Sequence, residues 1–374
     1  MRIVHVYKNY APTPGGIETH VRQLATGLAR RGDQVTVLVS SPSWRTTEEQ
    51  RDGVRVIRAG RWGELASTPI SSRLIRELAR LEADVIHVQV PYPVGELAYL
   101  LAGRGRPLVV TYQSDVVRQR WARPVHEPLL RQLLGRATGI IVTSPAYRQS
   151  STVLRAFADR CVVVPLAVDP SHFRPDLPAA AAIRAKWTSP EYPSLILFVG
   201  RFRAYKGLPY LVRAMAGVPA RLLLVGGGRL EGDVRALIAE LGLERQGAIL
   251  GDVSDGDLPT YYAAADVFVL PSTQRSEAFG IVLLEAMAAG RPVISTELGT
   301  GTSWVNQHEQ TGLVVPPADA SALHQALQRL LNDPALARQL GEAARRRVVA
   351  EFSEEIMLDR VSAIYREAVG LKTG

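Results

Sequence analysis

Short apolar runs alternate along the chain with stretches whose apolar residues recur at helical spacing. Arg2-Ile3-Val4-His5-Val6-Tyr7 opens as a strand and leads into a loop rich in Pro and Gly. Ile17, Val21, Leu24, Ala25 and Leu28 then mark one face of a helix that runs to about Arg31, with Gly32 as its stop signal. Further strands are predicted at residues 35–39, 54–57, 84–88, 108–111, 140–143 and 162–164, with helical stretches between most of them. The plan restarts with a strand at 195–199 and continues with strands at 222–225, 248–250, 267–270 and 292–295. Helices are predicted near 208–216, 230–241, 257–264 and 280–289, and three more close the chain, at 321–331, 335–351 and 354–369. Alternating strand and helix predicts mainly parallel sheets covered on both faces. The fold class is therefore α/β, with two Rossmann-like doubly wound domains. Their expected extents are residues 1–170 and 171–353, with 354–374 packing back on the first and the polar, Ala-rich stretch 169–193 between the halves. Ligands of such folds bind beyond the carboxyl ends of the strands, so two facing sheets predict an interdomain cleft.

Composition narrows the classes. A length of 374 residues suits two domains, or three, at about 150 residues each. A content of 47% hydrophobic and 21% charged residues excludes a disordered chain. The single cysteine, Cys161, excludes an intrachain disulfide framework and a Cys-based metal site. No run approaches the ~18 apolar residues of a membrane span, and residues 1–10 read as a strand, not a signal segment. The formal charge of +8 is uneven: residues 1–170 hold 23 Lys and Arg against 14 Asp and Glu, and the remainder holds 21 against 22. The first half is basic.

Three loops carry candidate chemistry. Pro14-Gly15-Gly16-Ile17-Glu18 lies between a strand and a helix start, where free amides suit an anion and paired glycines admit a close ligand; a simple tight turn is the plain alternative. The G-x-G-x-x-G dinucleotide fingerprint is absent. The loop from Gly200 to Gly207 follows a strand and carries Arg201 and Lys206, which can clamp a diphosphate through charge-assisted bonds, or can simply be solvated. Its Lys-Gly order is not the Gly-Lys-Ser/Thr of a Walker loop. In the segment from Ser276 to Gly290, Glu277 lies in a loop and Glu285 inside a largely apolar helix. A carboxylate in that setting needs a partner. The main-chain groups of Ala278, Phe279, Gly280, Ile281 and Val282 sit at the helix start, ready for phosphate oxygens.

These motifs resemble those of retaining family 4 glycosyltransferases: GGIE at 15–18, VPLAVD at 164–169, FVGRFRAYKG at 198–207 and SEAFGIVLLEAMAAGRPVIS at 276–295. The stretch GTGTSWVNQHEQTGLVVPP at 299–317 is similar to bacterial mannosyl- and rhamnosyltransferases of cell-surface polysaccharide synthesis. The resemblance implies the glycosyltransferase-B fold and a nucleotide-sugar donor, GDP-mannose. It implies diphosphate binding by Arg201 and Lys206, with Gly200 in the same loop. Glu277 would hold the transferred sugar and Glu285 the ribose. Gly15 and Gly16 would lie near the diphosphate or acceptor, and Val253 would line the base pocket. It implies retention by same-face attack and no metal or other cofactor, the two cations and helix-end amides standing in for one. Thr111-Tyr112-Gln113-Ser114-Asp115 resembles the family's loop beside the donor sugar, but Gln113 stands where His is usual. An amide keeps a donor and an acceptor but does not titrate. His87 and His20 are candidate substitutes, with structural roles as the alternative.

Arg73, Arg76 and Arg80 share one helical face, with Leu74, Leu78 and Leu81 opposite. Arg118, Arg120, Trp121 and Arg123 form a second cluster. Such patches suit an anionic membrane surface or plain solvation; nucleic acid is the weaker partner because no recognition motif accompanies the charge. The expectation is a cytoplasmic enzyme, peripheral at the inner membrane face, acting on a lipid-linked or glycan acceptor. The alternatives are a nucleotide-sugar epimerase of similar fold and a non-catalytic nucleotide-sugar-binding subunit.

Overall fold

The computed structural model describes every residue except 14, 66–67, 114–122 and 372–374. The chain forms two compact units: Met1–Leu166 with Glu354–Gly374, and Ala167–Ser353.

In the first unit eight strands form one sheet. Their spatial order is Cys161–Val163, Gly139–Val142, Leu108–Tyr112, Val85–Val90, Arg2–Val6, Gln34–Ser40, Val54–Ala59 and Thr47–Arg51. All pairs are parallel except the last. The strand Val85–Val90 is buried at every position, as a strand covered on both faces must be. Chain order reverses between Arg2–Val6 and Val85–Val90, so the loops after these strands open at a switch point. The helix Gly16–Arg30 buries Val21, Leu24, Ala25 and Leu28 and ends where Gly32 takes φ +92°. The C-terminal helix Glu354–Ala368 packs into this unit. Leu358 fills the space where a side chain at Gly27 would go, and Arg31 pairs with Asp359 at 2.7 Å.

Two features of this unit escape the apolar pattern. The antiparallel edge strand Thr47–Arg51 is TEEQR, held by cross-strand pairs of Glu48 with Arg55 and Glu49 with Arg58. A small hairpin, Gly63–Leu65 with Thr68–Ile70, is equally short of apolar runs. Charged residues on an edge strand deter pairing with another chain, so polarity here is compatible with a strand.

In the second unit six parallel strands run in the order Gly247–Gly251, Ala220–Val225, Ser194–Val199, Val267–Leu270, Val293–Thr296 and Gly312–Val315. In chain order that is 3-2-1-4-5-6, the doubly wound nucleotide-binding arrangement. The last strand is not among the predicted ones, because its four residues follow a polar loop. The stretch between the halves holds a helix, Ala180–Trp187. The switch point lies between Ser194–Val199 and Val267–Leu270, so the loops after these two strands face each other.

Candidate functional site

The loop after Ser194–Val199 is shaped by glycines. Gly207 sits at φ +70°, and a side chain there would collide with the Pro271 carbonyl, so only glycine lets the two switch-point loops touch. Thr273 N donates to Tyr205 O at 2.7 Å and fastens one loop to the other. This contact brings Lys206 to Glu277. Their Nζ–Oε2 distance is 2.6 Å, and each side chain is only 10% exposed. Ser272 Oγ donates to the same Glu277 oxygen at 2.9 Å, and Thr300 Oγ1 donates to the Glu277 carbonyl at 2.8 Å. Burial penalises the ammonium of Lys206, but the Glu277 carboxylate, with Tyr205 and Glu285 adding to it, more than offsets this and holds its pKa above the ordinary lysine value. Arg201, in the same loop, is exposed.

Gly280, at φ +79°, turns the chain into the helix Ile281–Ala288. The helix starts one residue later than the apolar pattern implies. Ala278 and Phe279 therefore lie in the turn before it. The Gly301 amide donates to the Ala278 carbonyl at 2.8 Å, and the Phe279 ring is buried against Trp304 and Phe352. The amides of Ile281 and Val282 open the helix, where no preceding turn supplies acceptors. Glu285 lies about one turn further on, half-buried, and Tyr262 Oη donates to its Oε2 at 2.6 Å. Burial raises the Glu285 carboxyl to about 7, with the Tyr262 hydrogen bond and Lys206 opposing the shift and Asp255 adding to it. Val253 is half-buried in the turn after Gly247–Gly251.

In the first unit, Gly16 has open space where a side chain would be, whereas the Glu18 carboxylate folds over Gly15. That helix start thus carries its own negative charge, which an approaching anion would meet. Gln113 lies just beyond the strand Leu108–Tyr112; its Nε2 donates to Gln89 Oε1 at 2.9 Å. Ser114, Asp115, Arg118, Arg120 and Trp121 lie outside the described residues, as does the side chain of Arg123. His87 is fully buried between Tyr365 and Thr111, at 2.6 Å from each, and His20 is buried on its helix. Both are interior groups. On the helix Ser72–Arg80, Leu74 and Leu78 are buried, whereas Leu81 terminates it.

Sequence reasoning passed over several partners. Ser272, Thr300 and Tyr262 are ordinary residues whose roles appear only when the loops meet. Gly226-Gly227-Gly228 left a readable signal, three glycines directly after a strand. Gly226 lies against the Gly200 carbonyl, and Phe202 N donates to Gly227 O at 2.8 Å, so the glycines let two strand-end loops pack backbone to backbone.

Comparison with known proteins agrees with this geometry. Residues 14–172 match the family Glycosyltransferase Family 4, and residues 180–347 match Glycosyl transferases group 1. The O-antigen chain mannosyltransferase C of Escherichia coli is 36% identical, over 98% of this chain and 98% of its own. The D-rhamnosyltransferase WbpZ of Pseudomonas aeruginosa is 38% identical, over 93% and 91%. The structure of sucrose-phosphate synthase from Thermosynechococcus elongatus matches with a TM-score of 0.82 and 29% identity, covering 99% of both chains. Two family matches in order along the chain, and a relative alike over almost its whole length, establish that this chain is a glycosyltransferase of family 4 with the glycosyltransferase-B fold.

Proposed function

We propose that the enzyme transfers a mannosyl or rhamnosyl unit from a nucleotide donor, GDP-mannose first among them, to a lipid-linked or polysaccharide acceptor, with retention and without a divalent metal. The observation that carries this reading is the switch-point cluster of the second unit: a buried Lys206–Glu277 pair, a helix start at Ile281 and a half-buried Glu285 further along that helix. The names of the two sequence relatives support the sugar class, and the resemblance of residues 299–317 to mannosyl- and rhamnosyltransferases supports GDP as the nucleotide.

In this reading the helix-start amides of Gly280, Ile281 and Val282 receive phosphate oxygens, and Arg201 and Lys206 neutralise the charge that grows on the leaving nucleoside diphosphate. Lys206 is held between Glu277 and the phosphate, so one ammonium links the sugar-side carboxylate to the leaving group. Glu277 accepts from hydroxyls of the transferred sugar, Glu285 from the ribose diol, and Val253 lines the base. The anomeric carbon–oxygen bond to the diphosphate breaks, the acceptor oxygen bonds to the same face, and the departing phosphate oxygen takes the acceptor proton. The basic first unit suits an anionic membrane at the cytoplasmic face. Trp44 is 63% exposed there, with Arg45 and Arg73 stacked over it, and Trp62 is 74% exposed. No helix among the described residues is long and apolar enough to cross a membrane.

The test is a panel of nucleotide sugars incubated with the purified protein and a membrane extract in the presence of EDTA. A glycosylated product carrying the donor's anomeric configuration is expected. Binding of every donor without turnover would favour a non-catalytic subunit. Reaction of the nucleotide sugar with no acceptor present would favour an epimerase.

A further inference from the structure

In the second unit, packed aromatic rings hold one hydroxyl against Glu285. Tyr262 lies on the helix Leu258–Ala264 and is fully buried. Its ring packs edge-on against Phe173, with centroids 5.6 Å apart, and tilted against Phe268 at 5.5 Å. Phe268 belongs to the switch-point strand Val267–Leu270. Flanked by these two rings, Tyr262 keeps its Oη where Glu285 Oε2 accepts from it at 2.6 Å. Packing alone asks for no hydroxyl here, because a phenylalanine ring would fill the same space. The hydroxyl is explained by its acceptor, since a buried phenol needs a partner. Burial and the Glu285 charge hold that phenol well above its ordinary range, so it remains a donor at every working pH.

A glutamate carboxyl group otherwise turns readily about its last bond, whose torsion is broad. Here Tyr262 takes Oε2 and fixes the carboxyl plane. Oε1 is left with no hydrogen-bond partner among the described residues and with access to solvent. Glu285 and Ile281 are four residues apart and share one face of the helix Ile281–Ala288. Glu285 therefore lies about 5 Å along the helix from the amides that open it. Burial and Asp255 oppose ionisation of this carboxyl group, whereas Tyr262 and Lys206 favour it.

We propose that Tyr262 is a positioning residue that fixes the Glu285 carboxylate with Oε1 outward, as the acceptor for the vicinal hydroxyls of the donor's ribose. This rests on the reading of Glu285 as the ribose group. An oxygen that is already oriented loses no rotational freedom when the nucleotide arrives, and its two lone pairs can meet both hydroxyls of a cis-diol. The carboxylate, its phenol and the helix that carries the phosphate-side amides all belong to the second unit.

The test is titration calorimetry with GDP and with 2′,3′-dideoxy-GDP, which lacks the diol, on wild type, Tyr262→Phe, Glu285→Ala and the double variant. Wild type should prefer GDP by about tenfold, and Glu285→Ala should abolish that preference. A preference that survives in Glu285→Ala would refute the ribose reading on which the proposal rests. Tyr262→Phe should weaken GDP about five- to tenfold, leave dideoxy-GDP unchanged and have no further effect in the Glu285→Ala background. The pH at which GDP affinity rises should also move up by about one unit, because a hydrogen bond to the ionised carboxylate is lost. A merely structural hydroxyl would lower thermal stability without separating the two nucleotides. Equal GDP affinity in Tyr262→Phe and wild type would overturn the proposal, as would equal losses for both nucleotides. Should Tyr262→Phe fail to fold, 3-fluorotyrosine at position 262 decides, as a stronger donor of nearly the same shape. It should move the affinity rise to lower pH, and an unmoved rise would overturn the proposal. A wild type that binds neither nucleotide would refute the reading of the donor instead.

Discussion

The Lys206–Glu277 pair offers a measurement in which structure and function separate. Both side chains are 10% exposed and 2.6 Å apart, so each charge is desolvated and depends on the other. Lys206→Met leaves the Glu277 carboxylate with only the Ser272 hydroxyl on that oxygen. Removing one partner of a buried pair costs about 3–5 kcal/mol. At 2–4 °C per kcal/mol, the second unit should then melt about 10 °C lower. Glu277→Gln keeps an oxygen toward Lys206 and should cost less, about 1–3 kcal/mol. The double variant Lys206→Met/Glu277→Leu removes both charges together. Replacing a buried pair with apolar groups of similar size is often neutral, so it should recover to within about 1 kcal/mol of wild type. Scanning calorimetry on these proteins, with Glu277→Leu alone added, closes the double-mutant cycle, and a transfer assay on the same samples should find the double variant folded and inactive. Single variants that lose less than about 1 kcal/mol would refute the reasoning, because the two charges would then be solvated independently.

Two further outcomes follow from buried titrating groups. Glu285 is raised to about 7 without ligand, and a ribose diol donates best to the ionised carboxylate; nucleotide affinity should therefore rise with pH through 7, by about tenfold from pH 6 to 8. Titration calorimetry should show this dependence vanish in Glu285→Gln, and a slope that survives there would assign it to another group. Burial depresses His5 to about 3, His20 to about 4 and His87 well below the usual value, the neighbouring histidines adding to the effect for His5 and His87. Folded values below the unfolded one mean that stability is present in full above about pH 6.5 and is lost as pH falls. At pH 5.5 the loss is about 1 kcal/mol for each of His5 and His20, with His87 adding in the same direction. Unfolding of the first unit, followed at pH 7.5 and 5.5, should show it, and an unchanged midpoint would contradict the burial of these rings.

Much of the architecture was legible because it is local. Buried parallel strands such as Ala220–Val225 and Ser194–Val199 are nearly continuous apolar runs, and the helix Gly16–Arg30 carries its apolar residues on one stripe. The polar edge strand Thr47–Arg51 was not legible, because its identity comes from the neighbouring strand and not from its own pattern. The candidate site divides in the same way. Glu277, Glu285, Arg201 and Lys206 stood out as charged residues at strand ends or on an apolar helix. Their partners did not stand out, since a serine, a threonine and a tyrosine carry no pattern until a second loop touches them.

By itself the sequence determined which segments are strands and helices, that they alternate, and which loops follow strand ends with glycines and charges. Those properties depend on side-chain period and backbone freedom over a few residues. Tertiary structure decided which loops meet. It brought Lys206 to Glu277 across 71 positions and His87 to Tyr365 across 278. It also decided that Glu18 covers the helix start at Gly15. Strand order and loop contact arise from burying two whole sheets, a condition on every residue at once that no short stretch of sequence contains.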